Sequence, residues 1–592
     1  MLIFDIEANG LLHNVTKIHT ICLIDTNTGA EEEYGPDDIE RAVLRLHGEE
    51  VCGHNILGYD LRVLKWFFPW FNPGKVWDTL ILSRLLYFDL FGNDMKAAKK
   101  NRGIDPKFRG RHSLAAWGAR LGHPKDDYEE RCKAEGIDPW AEWNPMMQSY
   151  CMQDCRVTQS LWAFLKAREE RWPQDAVTME HRVGWIILRQ WIQGVRFDTE
   201  EADKVISELQ QKLSELNDRL QEYFPPWYAP NAPTVQQAQL TPKKGKPNSK
   251  TKGHGYVEGA PLTKIKRVVF NPGSRDHVAN RLQKVYGWKP QQFGKDGKPT
   301  VDDDILRSLP LEPAGLLADY FQLKKHLGQL ADGDKAYSRF VSGDGRIHGH
   351  VNTLGTRTYR MSHSEPNLGQ VPTRDPVWGH RFRELFYATQ GYHLVGCDAE
   401  GLEMRTFAHF TYPFDGGQFA RMCIEGDKSE GTDQHTVNQK AIGLNSRDFA
   451  KTWFYGLVYG AQDPKLGEII MQDMTPHQRK KLGDPSKKKL SHLGKRSREQ
   501  IEQQVPGLVR FVESAKKAHK RGYLKGLDGR LIPSPSEKAA ANTINQSAGA
   551  IIMKRALVIA YDLGRESFDD WEFVLNVHKP LWTINWVNSV EP

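Results

Sequence analysis

The sequence predicts an α/β multidomain chain rich in helix, and three observations carry that prediction. Leu2, Ile3, Phe4 and Ile6 mark a short buried strand; Asp5 and Glu7 project together from it, because side chains two apart on a strand point the same way. Glu180 to Asp198 and Glu200 to Phe224 keep apolar residues at helical spacing, Leu209, Leu213, Leu216 and Leu220 among them, and Gly194 can stop the first helix. A second apolar run, Leu394, Val395 and Cys397, reads as a buried strand that delivers Asp398 at its end, with Glu403 five residues on.

A length of 592 residues suggests about three or four domains. The net charge of +7 and pI near 8.8 permit a nucleic-acid partner without demanding one. Positive charge is concentrated in Lys96 to Arg111 and Arg479 to Arg498, where a duplex or single strand could be neutralised, although solvated surface is an equal reading of each run. The seven cysteines are scattered without a CxxC pair, which suits a reducing compartment. Cys151 and Cys155 share a helix face but lack histidines at ligand spacing, so zinc is not expected. No run of about 18 apolar residues occurs, and acids interrupt the first apolar stretch; a soluble cytoplasmic chain without membrane span or signal peptide is expected.

Beyond the first strand, a second strand candidate spans Ile18 to Asp25, and GHNILGYD opens a helix that presents Asp60. Tyr150 and Asp154 in YCMQD lie four apart on one helical face. Carboxylates on three such elements suit a two-metal phosphodiesterase, because hard divalent cations want oxygen ligands and two of them can activate a water and stabilise a leaving oxygen. Further on, Arg447, Lys451, Tyr455 and Tyr459 follow one another at i, i+4, so two cations and two aromatics share one stripe of a helix. A metal-holding acid beside that stripe suits a nucleoside triphosphate, with Gly456 and Gly460 leaving room for close approach.

The segments HLVGCDAEGLEMRTFAHF and RDFAKTWFYGLVYGA resemble the A and B motifs of family A DNA polymerases, the DNA polymerase I family, and in detail those of the phage T-seven type. The order D-x-E, NxxGYD, YxxxD resembles the 3'-5' proofreading exonucleases, a likeness extended by VWDTLILSRLLY and HSLAAWGARLG. The resemblance implies a ribonuclease H-like exonuclease domain (1–172), a thumb (173–345), a palm (346–412 and 525–592) with an antiparallel sheet, and fingers (413–524). It implies that Asp5, Glu7, Asp60 and Asp154 hold two magnesium or manganese ions, that Tyr150 orients the attacking water, and that Asp398 holds two more ions for polymerisation. Glu403 becomes the steric gate against a ribose 2'-hydroxyl, which also disfavours a single-subunit RNA polymerase. Arg447, Lys451 and His435, in DQHTVNQ, grip the triphosphate, with Tyr455 near the sugar and Tyr459 near the templating pair. Arg360, Asn367, Gln370, Arg530, Asn542, Gln546 and His578 face primer-template DNA; minor-groove acceptors are shared by correct pairs, so such contacts test shape rather than sequence. TYR at 358–360 replaces the commoner TGR.

The stretch from about 225 to 266 turns to Pro, Lys, Gly, Ser and Thr and is expected to be a mobile basic loop. It occupies the place of the insertion through which phage T-seven-type polymerases bind host thioredoxin, but is shorter, and a bare electrostatic tether to DNA suits it equally. A phage helicase-primase is a further implied partner, alongside dNTPs, in the cytoplasm of an infected bacterial host.

The likeness breaks in FVLNVHKPLWTINWVNSVEP. Val577 and His578 match, but Lys579 and Pro580 stand where the family carries Asp-Glu. Losing a bridging acid removes charge stabilisation from phosphoryl transfer. The expectation is a truncated, frameshifted or recombined gene end from residue 579, a proofreading polymerase by descent and a crippled polymerase centre. An exonuclease alone and a non-catalytic primer-template binder are the competing readings.

Overall fold

The computed structural model describes all residues except 101, 124–126, 231–235, 238–260, 263–264, 295, 373–374, 484–485, 569–570, 576–584 and 589–592. It divides into two compact units, one of Met1–Arg196, Ser342–Pro372 and Phe386–Pro592, the other of Phe197–Val341 and Thr373–Leu385.

The first unit begins with a mixed sheet. Strands β1 (Leu2–Ala8), β2 (Ile18–Asp25) and β3 (Glu31–Tyr34) run antiparallel, while β4 (Val51–Gly53) and β5 (Val76–Asp78) add in parallel beside β1, giving the order β3-β2-β1-β4-β5. Helices α1 (Ile39–Leu46), α2 (Asp60–Phe67), α3 (Thr79–Leu86), α4 (Leu90–Ala98), α5 (Leu114–Leu121) and α6 (Tyr128–Ala134) surround it. Helix α7 (Pro145–Glu169) packs on β1 and β2. Its start is set by Asn144, whose side chain accepts from Met147 N, with Pro145 in the first turn. Helix α8 (Gln174–Gln193) does end at Gly194, φ 59°. It belongs to this unit: Val183, Ile186, Ile187 and Leu188 bury it on several sides, against α2, α3 and the long helix near the C-terminus.

The second unit is built on α9 (Thr199–Tyr223), capped by Asp198, with α10 (Arg275–Tyr286), α11 (Asp303–Ser308) and α12 (Glu312–Leu327). Its core gathers Leu220, Phe224, Phe270, Leu282, Leu306 and Leu317, with the Phe224 and Phe270 rings 4.5 Å apart. Of the leucines expected to pack, Leu209 and Leu220 are buried and Leu213 and Leu216 half-buried. Most of the basic stretch lies outside the described residues, but its ends are drawn together: Trp227–Pro230 pairs antiparallel with Ile265–Val268.

The C-terminal half of the first unit is helical: α13 (Leu402–Asp415), α14 (Gln418–Ile424), α15 (Gln434–Ile442), α16 (Arg447–Val458), α17 (Asp463–Asp473), α18 (Pro476–Leu482), α19 (Lys487–Gln504), α20 (Pro506–His519) and α21 (Ala540–Ser567). Among the described residues its strands form small antiparallel ribbons, including Tyr392–Val395 with Asn585–Asn588. The buried strand expected at Leu394, Val395 and Cys397 is instead open: Val395 is 47% exposed and Cys397 exposed. Among the described residues the strand has one four-residue neighbour, which leaves little to bury it, and an apolar run cannot report how many neighbours a strand will find.

Candidate active sites

The N-terminal carboxylates converge. Asp5 and Glu7 stand on the less buried face of β1, paired opposite Cys22 and Thr20, and their ligand atoms lie with Cys151 Sγ inside a 4.8 Å sphere of mutual separation. Asp60, at the head of α2, is buried and accepts from Ile6 N, between those two acids, at 3.2 Å. Burial pushes its carboxyl up to about 7 against the pull of that N–H bond, and the charges of Asp78 and Asp154 add to the rise. Tyr59 is likewise raised, by burial and then by Asp60, Glu7 and Asp5. Asp154 and Tyr150 are both buried on α7, the Tyr150 ring 5.3 Å from Tyr128. Among the described residues the atoms within ligand reach of one another are the Asp5 and Glu7 carboxylates and the Cys151 thiol, and carboxylates that oppose one another's charge suit a hard divalent cation, which would relieve the repulsion.

Two supports were not singled out from sequence. Asp78, buried at the end of β5, accepts from Asn55 N and Leu57 N at 3.0 Å each and from Leu80 N at 2.9 Å, so it holds the loop that presents Asp60. Three thiols stitch α7 to the sheet: Cys151 to Asp5 O at 3.3 Å, Cys155 to Cys22 O at 3.2 Å, and Cys22 to Gln148 O at 3.6 Å. The D-T step before an apolar helix was a readable capping signal for Asp78; buried thiols give no comparable pattern.

The second site lies on α13, α15 and α16. Glu403, in the first turn of α13, accepts from Arg360 Nη2 at 3.0 Å and from Tyr459 Oη at 2.7 Å. Tyr455 and Tyr459 stack with centroids 6.0 Å apart, and His435 is 6.2 Å from Tyr455. Arg447 is held by Asp433, Nη2 to Oδ1 at 2.7 Å and Nε to the same oxygen at 3.2 Å. Asp433 is itself lowered to about 2, burial being outweighed by Arg447, Thr436 and His435 N. Burial and then Arg447 push His435 down to about 4, so it is neutral at pH 7, and its Nδ1 is buried without a hydrogen-bond partner. Lys451 is exposed on the same helix. The stripe thus assembles, but Gly456 and Gly460 serve protein packing: a Cβ would meet Ile469 Cδ1 at 3.3 Å from Gly456 and Lys538 O at 2.6 Å from Gly460. Asn545, which the sequence did not mark, joins Thr406 Oγ1 at 2.8 Å and Glu403 O at 3.1 Å, tying α21 to α13.

Asp398 is exposed beyond its strand, and among the described residues it belongs to no group of three or more His, Cys, Asp or Glu able to hold a metal. Asn542 and Gln546 are half-buried on α21, Asn367 half-buried and Gln370 exposed. Arg530 is fully buried, donating to Asp528 and, through Nη1, to Glu180 at 2.5 Å, while Lys554 reaches Glu180 at 2.7 Å. Tyr359, in place of the commoner glycine, sits at φ 62°, the left-handed region that glycine adopts freely; its hydroxyl donates to Leu531 O at 2.6 Å and Arg530 lies over its ring. His578, with Lys579 and Pro580, lies outside the described residues.

Comparison with known proteins agrees with this layout. The family model for DNA polymerase family A matches residues 257–584. The DNA-directed DNA polymerase of Escherichia phage T7 is 34% identical over 94% of this chain and 88% of its own length, and that of Enterobacteria phage T3 matches to the same extent. DNA polymerase I of Pseudomonas aeruginosa is 25% identical over 53% of this chain and 34% of its own. Among solved structures, the POL domain of Pol1 from M. smegmatis in complex with DNA primer-template and dNTP superposes with a TM-score of 0.69 at 17% identity, covering 99% of this chain and 89% of that one.

Proposed function

Because the chain belongs to DNA polymerase family A, we propose that it is a phage replicative polymerase in which the 3'-5' proofreading exonuclease is the intact centre and template-directed extension is impaired. The observation that supports this reading is the contrast between the two acid sites: Asp5, Glu7, Asp60 and Asp154 gather around β1, whereas Asp398 stands exposed and Lys579-Pro580 follow His578 in place of two acids.

Asp5, Glu7, Asp60 and Asp154 are the residues that would hold magnesium or manganese, and two such ions supply water activation and stabilisation of the leaving 3' oxygen. Tyr150, whose ring packs among Tyr128 and Trp140, would orient the attacking water. Asp78 keeps Asp60 in place through the 55–57 loop, and the thiol contacts keep α7 against β1.

In the second site Glu403, braced by Arg360 and Tyr459, crowds a ribose 2'-hydroxyl and selects dNTPs. Arg447, released from Asp433, grips the triphosphate with Lys451 and His435, and Tyr455 and Tyr459 offer stacked faces to sugar and base. Arg360, Asn367, Gln370, Asn542, Gln546 and His578 take the primer-template. This site binds a nucleotide more readily than it joins one, since a lysine where the second acid belongs repels a cation. The described ends of the 225–266 segment form a ribbon suited to presenting the basic sequence between them to DNA or to host thioredoxin; a phage helicase-primase and the cytoplasm of an infected bacterium complete the setting.

On a 5'-labelled single strand with magnesium, the chain shortens the label and Asp5→Ala abolishes shortening. Retained shortening in Asp5→Ala would remove the nuclease assignment.

A further inference from the structure

The basic stretch that begins on α4 is used by neither site, and its geometry differs from that of a solvated charge run. Leu90 and Asp94 anchor α4 inward, which leaves Phe91, Lys96 and Lys99 on its open side. Phe91 is 60% exposed. The chain then folds back on the helix. A Cβ on Gly103 would fall 2.8 Å from Ala98 Cα, and one on Gly110, at φ 70°, would fall 2.9 Å from Phe91 Cβ, so both approaches depend on glycine. The returning loop places Lys107 over the Phe108 ring at 4.9 Å. It is pinned from α5 by Arg120, which donates to Phe108 O and Arg111 O and grips Asp94 at 2.7 Å.

The acids of this region are already engaged. Asp94 is neutralised by Arg120, Asp89 caps Gly92 N, and Asp105 turns onto Lys107. Among the described residues, Lys96, Lys99, Lys100, Arg102 and Arg111 form no ion pair, and all five are exposed. Exposed ammonium and guanidinium groups beside an exposed ring, on a loop fixed by glycines and a buried ion pair, have the composition of a single-strand platform: cations track phosphates while the ring stacks a base. An acidic protein partner would use the charge and leave Phe91 idle.

We propose that the face formed by α4 and the 102–111 loop binds single-stranded DNA, independently of the carboxylate centre. This goes beyond the proposed exonuclease and does not need it to be correct, because the site reads a strand rather than cutting it.

The test uses the full chain and a fluorescein-labelled 20-mer of thymidine, with calcium replacing magnesium, and anisotropy titrations at several salt concentrations. Lys96→Gln/Lys99→Gln/Lys100→Gln lowers the slope of log K against log salt by about 2, at roughly 0.7 per phosphate contact. Phe91→Ala weakens binding about fivefold or more and Phe91→Leu nearly as much, since base stacking needs the ring. A 5-iododeoxyuridine 20-mer crosslinks to peptides within 88–111. Hydrolysis of p-nitrophenyl thymidine 5'-phosphate, which reads the carboxylate centre alone, is unchanged in all three variants. Unchanged affinity and slope, crosslinks confined to other segments, or polyglutamate displacing the 20-mer equally from wild type and Phe91→Ala would each overturn the proposal. Absence of p-nitrophenyl ester hydrolysis in wild type would count against the nuclease and leave the binding result standing.

Discussion

Replacing Glu180 by glutamine tests how the polymerase half is keyed to α8. Glu180 on α8 is fully buried and accepts from Arg530 Nη1 at 2.5 Å and from Lys554 Nζ at 2.9 and 2.7 Å, while Arg530 is shared with Asp528. The four charges balance. Glu180→Gln leaves one buried positive charge uncompensated, which costs about 3–5 kcal/mol for breaking a buried pair. At about 1 °C per kcal/mol for a unit of about 430 residues, the thermal midpoint of the unit falls by roughly 3–5 °C. Lys554→Met removes the surplus charge, so Glu180→Gln/Lys554→Met recovers most of the loss, a coupling that a double-mutant cycle reads directly. Differential scanning calorimetry of the four proteins makes the measurement. A Glu180→Gln midpoint within 2 °C of wild type, or a double variant no better than Glu180→Gln, would refute the charge-balance argument.

Other outcomes follow from single contacts. Asp78→Ala frees the 55–57 loop and lowers single-strand shortening at least tenfold while Asp433→Ala leaves it unchanged, as a gel time course will show. Tyr359→Phe loses the bond to Leu531 O and costs about 1 kcal/mol of unfolding free energy in denaturant titrations; Tyr359→Gly relieves the left-handed backbone but empties a buried ring site and costs more. Asp433 has a depressed folded pKa, so its stabilising effect is complete above its ordinary value near 4 and is lost as pH falls toward 2; at 1.36 kcal/mol per unit this amounts to about 2 kcal/mol. Asp433→Asn therefore shows a flatter decline of unfolding midpoint between pH 5 and 2 than wild type.

Local pattern was enough for several features. The D-x-E on β1 converged with Asp60 and Asp154, and Glu403 met Tyr459, because strand and helix periodicity sets which side chains share a face and the connecting motifs keep their order. What needed the fold were relations between distant segments. Arg530 and Glu180 lie 350 positions apart, and nothing in LDGR says that its arginine turns inward. Val395 and Cys397 looked buried because an apolar run reports preference, while burial depends on what packs alongside. Gly456 and Gly460 marked close approach correctly, but the approaching groups are Ile469 and the Lys538 backbone. Tyr359 departed from the family where the backbone is left-handed, a constraint visible once φ is known.

The most direct test of the account is a labelled primer-template incubated with magnesium, with and without the four dNTPs, in wild type and Asp5→Ala. The account predicts that wild type shortens the primer under both conditions, that Asp5→Ala leaves it intact, and that neither extends it appreciably. Efficient dNTP-dependent lengthening by Asp5→Ala would contradict it.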